Sequence, residues 1–152
     1  MTVTLFALPF TNIKPIMKNK ILSLCTLALF FVSCSNSNSD DTGSQQEIVS
    51  NGTWRVTLFT DSGNNETSDF NGYAFTFGPS GAITATKGSQ TQNGTWSISS
   101  NDFNINLGPK VDSNKPLGEL TDDWDIISIS NTEIKLKDDN AASNEFLTFT
   151  KN

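Results

Sequence analysis

The residues of this chain that could do chemistry are a cysteine at position 34 and the carboxylates crowded into several turns. Histidine is absent from the whole sequence, which excludes His-based triads, His-metal catalysis and imidazole acid–base work. Cys34 follows Val32-Ser33 at the end of an apolar run, residues 21–32, which is itself preceded by Lys18 and Lys20. A positive start, an apolar stretch and small residues before a Cys are the parts of a lipoprotein signal peptide, in which the Cys thiol receives the lipid. A twelve-residue apolar run falls short of the ~20 residues that a helix needs to cross a bilayer. The expected chemistry of Cys34 is therefore lipidation. The other cysteine, Cys25, lies inside the signal, so the remaining chain is left with no thiol pair and no disulfide.

The carboxylates suggest two other chemistries. Asp61-Ser62-Gly63-Asn64-Asn65-Glu66, with Asp69 nearby, crowds hard oxygen ligands into one loop, and Asp122, Asp123 and Asp125 crowd another. Calcium takes six to eight oxygens, so Asp61, Glu66 and Asp69 are calcium candidates, although their spacing is not that of an EF-hand. Against them stands the reading as ordinary acidic turns, and no metal is assigned. Paired carboxylates can also hydrolyse glycosides. Here Asp138-Asp139-Asn140 has instead the composition of a solvated turn, and nothing supplies a nucleophile with its base. The expectation is a protein that is not an enzyme, with no catalytic residue and no cofactor.

What must position these residues is one domain. Residues 1–33 read as an N-terminal extension and signal peptide, with translation starting at Met17; the alternative is a long positive region removed with the rest. From Cys34 onward there are 119 residues. Residues 34–47 read as the lipidated Cys and a flexible tether, because no apolar residue occurs between Cys34 and Ile48. Within the tether, Ser39-Asp40-Asp41 has two readings. One is an acidic export signal like those of some Gram-negative lipoproteins; the other is a plain linker. Seven basic residues face sixteen acidic ones after position 34, a net charge of −9. That balance argues against nucleic acid and against electrostatic docking on anionic lipid, so the membrane partner must be reached through the lipid on Cys34. The expected location is the outer membrane, on its periplasmic face or at the cell surface.

Residues 48–152 alternate apolar and polar in short runs cut by Gly, Asn, Asp, Ser and Pro, which predicts an all-β domain. Eight strands are predicted at 54–59, 73–77, 82–87, 95–99, 103–107, 124–130, 133–137 and 145–150. Trp54, Val56 and Leu58 share the inward parity of the first strand, which leaves Phe59 outward. In the sixth, the apolar parity changes after Ile126, predicting a β-bulge. Hairpin-length connections favour a small eight-stranded antiparallel meander barrel over the competing two-sheet sandwich. Residues 60–72 and 108–123 exceed hairpin length. Asn51-Gly52-Thr53-Trp54 recurs as Asn93-Gly94-Thr95-Trp96, a shared way of starting a strand with an inward Trp.

Gly52-Thr53-Trp54 at the head of the first strand, Gly72-Tyr73-Ala74-Phe75-Thr76-Phe77, Gly94-Thr95-Trp96, Leu120-Thr121-Asp122-Asp123-Trp124 and Leu147-Thr148-Phe149-Thr150-Lys151 follow one another in order. That succession resembles the lipocalin-like domains of small bacterial lipoproteins. The resemblance implies a fold and an address more than a task. Lipocalins carry an Arg over the Gly-x-Trp tryptophan, whereas the one Arg here is Arg55, beside it. The inward aromatics Trp54, Tyr73, Phe75, Trp96, Phe103, Trp124 and Phe149 are the candidate lining of a shallow ligand site. The first functional expectation is a monomer that binds a small apolar ligand without catalysis. The alternative is a cell-surface module for a protein or glycan, with a filled barrel and with Phe59 and Phe70 as exposed anchors or as a plug.

Overall fold

The computed structural model describes residues 39–152. Met17, the signal peptide and Cys34 lie outside the described residues. The elements are a helix α1 (Ser39–Ser50) and nine strands: β1 (Trp54–Asp61), β2 (Asn64–Asn65), β3 (Ala74–Phe77), β4 (Ala82–Lys87), β5 (Gln90–Ser99), β6 (Asp102–Asn106), β7 (Asp122–Ile129), β8 (Glu133–Asp138) and β9 (Phe146–Lys151). Short 3₁₀ turns at Thr67–Phe70, Asp112–Asn114 and Leu117–Leu120 occupy the two long connections.

From β3 onward each strand pairs antiparallel with the next, and β9 returns to pair with β1 along Trp54↔Lys151 to Thr60↔Phe146. β1 meets β3 at Trp54↔Phe75, which completes the ring. The domain is a closed eight-stranded antiparallel barrel, not a sandwich; β2 is a two-residue stub hairpinned onto the end of β1. Closure removes the unpaired edges that an open sheet would carry.

The alternation predicted from sequence sets the core. Phe75 and Phe77, Ile83 and Ala85, Phe103 and Ile105, and Ile134 and Leu136 are each buried, while the residues between them face outward or lie part-exposed. The bulge expected in β7 falls between Ile126 and Ser128, and it turns Ile127 out to solvent. A second bulge, between Val56 and Leu58 of β1, corrects the parity assigned to Phe59. The extra residue turns Phe59 inward, where it is 1% exposed, and leaves Leu58 only part-buried. Gly94 marks a tight crossing, since a Cβ there would run into the carbonyl oxygen of Asn106 on β6.

A second correction concerns the tether. Residues 39–47, expected to be flexible, belong to α1, and Val49 in its last turn is fully buried. The carbonyl of Val49 accepts a 2.9 Å hydrogen bond from the Trp54 indole, and Gln46 Nε2 donates to the carbonyl of Pro79. These contacts fasten the helix to the end of the barrel that carries the 78–81 turn. A helix shorter than ~12–15 residues is marginal alone, so this docking is what supports it.

Strand direction gives the barrel two ends. The turns at 78–81, 100–101 and 130–132 close one end. The connections 62–73, 88–89, 107–121 and 139–145 all emerge at the other, so both long connections share a rim.

Candidate functional site: interior, rim and outer wall

The interior comes first, because the candidate ligand residues converge there. Trp54, Phe75, Phe103, Trp124 and Phe149 are fully buried and Trp96 is nearly so. The space they enclose is occupied by their own rings. Phe77 meets Trp96, Phe103 and Phe149 edge-on at centroid distances of 5.3, 5.7 and 5.4 Å. Phe75 meets Phe149 at 5.3 Å, and Trp96 stacks on Phe103 at 5.6 Å. Edge-to-face contacts of this kind contribute roughly 0.5–1.5 kcal/mol each beyond area burial.

Each indole N–H is also satisfied: Trp54 by Val49, Trp96 by the Gly78 carbonyl at 2.9 Å and Trp124 by the Leu120 carbonyl at 3.1 Å. In the two copies of the Asn-Gly-Thr-Trp repeat, then, both tryptophans point inward and tie the barrel to a neighbouring segment. A cation does lie over Trp54, but it is Lys151 of the closing strand, 5.5 Å from the ring centre. Arg55 donates to the Lys151 carbonyl and to Asn152 Oδ1.

Tyr73 is set apart from the other aromatics. It is half-buried near the rim, with Lys87 Nζ 4.8 Å from its ring. It lines a recess of about 160 Å³ with Ala85, Gln92 and Leu117. Gln92 donates to the Leu107 carbonyl and to Asn114 Oδ1, tying the 107–121 connection to β5. Phe59 and Phe70, offered as exposed anchors, are 1% and 3% exposed and pack edge-to-face at 5.1 Å. They plug the rim.

The rim carries the acidic residues. Burial, and then a hydrogen bond with Asp61, push the Glu145 carboxyl up to about 7, against the pull of Lys110. The same shift places Glu145, at the end of the 139–145 turn, beside Asp61 at the end of β1. Burial would lower the Lys110 pKa, but its hydrogen bond and ion pair with Asp122 outweigh that and raise it. Asp125 pairs with Lys137 at 3.0 Å. The calcium candidates are not brought together: Asp69 Oδ1 accepts from Ser68, Asp61 Oδ1 from Ser62, and among the described residues no three acidic side chains are arranged to hold a metal.

One feature escaped the sequence reading. The outer face of β5, β6 and the start of β7 forms a groove of about 540 Å³. Its polar lining is Thr95, Ser97, Asn104, Asn106, Thr121, Asp122 and Asp123. The available signal was the run of Thr, Ser and Asn at outward positions of these strands, which reads as ordinary solvated strand surface until the register places the residues side by side.

No protein-family model matches the chain, and no curated protein matches it. Among solved structures, a DUF4847 family protein from Bacteroides vulgatus is similar at a TM-score of 0.53 and 19% identity, over 70% of this chain and 96% of that one. A protein from Burkholderia xenovorans is similar at a TM-score of 0.46 and 13% identity, over 72% of this chain and 87% of that one. At such identities, what the first of these shares with the present chain is a fold.

Proposed function

We propose that this chain is a lipid-anchored, non-enzymatic interaction module, a lipocalin-like barrel whose interior is filled by its own side chains and whose contacts with a partner lie on its outside. The observation that carries this reading is Phe77, whose ring is enclosed by Trp96, Phe103 and Phe149. An eight-stranded barrel is just wide enough either to be filled by side chains or to hold one small ligand, and this one supplies the filling. The Lys18/Lys20, apolar-run and Val32-Ser33-Cys34 pattern supports an outer-membrane anchor on Cys34. A second reading, a small apolar ligand, is favoured only at the Tyr73 recess, whose size is close to the ~150 Å³ that holds benzene in an engineered cavity.

Native mass spectrometry of the mature protein, extracted from its own membranes in mild detergent, separates the two. The expected result is the mass of residues 34–152 increased by the lipid alone. An additional apolar mass that leaves on denaturation would overturn the filled barrel. Cys34→Ala is expected to move the protein out of the membrane fraction, and its retention there would sink the anchor.

A further inference from the structure

We infer that the groove on the outer face of β5–β7 is a binding site for a neutral oligosaccharide, which deepens the proposed interaction role and rests on it. The argument starts with what the groove presents. Cross-strand register sets Ser97 beside Asn104, Asn104 beside Asp123, and Thr95 beside Asn106. Adjacent strands lie ~4.8 Å apart, so these groups form rows of hydroxyls and amides at near-regular spacing. A hydroxyl or an amide both donates and accepts, as a sugar hydroxyl does. The side chains of Thr95, Ser97, Asn104 and Asp123 are spent on no hydrogen bond within the described chain, which leaves them to an outside partner.

Charge narrows the partner. The groove side chains include no cation, and its acids are Asp122, engaged by Lys110, and the exposed Asp123. A phosphate, sulfate or uronic acid would meet Asp123 with nothing to pair against. A neutral sugar would find in the same carboxylate a strong acceptor for its hydroxyls. Apolar recognition is also disfavoured. Trp96 and Ile105 lie beneath the groove at 4% and 3% exposure, so no aromatic or aliphatic anchor of the kind that dominates protein interfaces reaches its surface. Hydrogen-bonding type and charge together point to an uncharged, hydroxyl-rich chain as the occupant.

The test uses the full chain in mild detergent on an array carrying neutral oligosaccharides (gluco-, xylo-, manno- and galacto-oligomers) and anionic ones (oligogalacturonate, heparin fragments). Binding to at least one neutral oligomer is expected, reduced at least tenfold by Asn104→Ala and by Asp123→Ala, and unchanged in Lys135→Ala on β8, outside the groove. Thermal unfolding of each variant guards against a folding defect. Three outcomes overturn the inference: no neutral oligomer bound, binding confined to anionic glycans, or neutral binding that survives both groove variants. An occupied barrel would instead appear as an added apolar mass in the native spectrum, so failure of the filled-barrel reading and failure of the groove are distinguishable.

Discussion

The two halves of the barrel wall bury the same kind of residue and expose different ones. Strands β3–β6 turn Phe75, Phe77, Trp96 and Phe103 inward; β7–β9 and β1 turn in Trp124, Leu136, Phe149 and Trp54. Outward, β3–β6 carry only Lys87 and Asp102 as charged residues, and rows such as Thr76–Thr84–Asn93 fill the rest. The other half carries Arg55, Asp123, Asp125, Glu133, Lys135, Lys137 and Lys151, several of them paired, as Lys135 is with Glu133 at 2.9 Å. The fold makes one demand of both halves, an apolar inner face. Since either outer face is compatible with that demand, the neutral one is not dictated by folding.

The largest expected effect strikes the inner face that both halves share. Phe77→Ala removes the ring around which Trp96, Phe103 and Phe149 close, and it should cost about 3–5 kcal/mol in urea unfolding. A loss below ~1 kcal/mol would mean that the rings collapse freely into spare room, and the interior would be a poor match to a packed core.

A second experiment isolates the charged half through pH. Glu145 titrates at about 7 in the fold against an ordinary value of 4.5, so the folded chain holds a proton that the unfolded chain has released. Its contribution is complete below about 4.5 and is lost as pH rises through about 7. Allowing for solvent screening, the change is on the order of 1 kcal/mol. Glu145→Gln, which keeps a donor toward Asp61, should flatten the stability profile across that window. A profile that keeps its slope in the variant would assign the titration elsewhere.

The smallest effect contrasts the walls directly. Lys137→Ala breaks the partly exposed pair with Asp125 and should cost under ~1 kcal/mol at low salt, vanishing in molar salt. Thr84→Val on the neutral wall loses one 3.0 Å hydrogen bond to Asn93, and its effect should not vary with salt. Equal salt dependence in the two variants would erase the distinction between the walls.

Most of the barrel was legible because its inner face repeats with period two and its turns announce themselves. The β7 bulge could be read from Ile126-Ile127, two adjacent apolar residues that no single parity accommodates. Leu58-Phe59 is the same kind of signal in β1, where strict alternation puts Phe59 outward and the bulge brings it in. Helix α1 left no such mark. Among its described side chains only Val49 is fully buried, and a single anchor produces no stripe of period 3.6. The interior aromatics were identifiable, but whether they enclose space or fill it depends on ring angles that sequence does not carry. The groove depends on register across three strands, and composition alone records only that Thr, Ser and Asn are plentiful.

The seam between β1 and β9 has a consequence for how the chain acquires its structure. It joins residues nearly a hundred positions apart: Asn152 donates from its backbone to Thr53, and Trp54 pairs with Lys151. Contacts of such high sequence separation repay their loop-closure entropy only late, so folding should be slow and strongly cooperative. Until β9 arrives, β1 and β8 remain two unsatisfied edges and the Phe77 cluster lacks Phe149. A nascent chain therefore stays open until its final strand is available, which suits the passage through a membrane that the proposed lipid anchor requires.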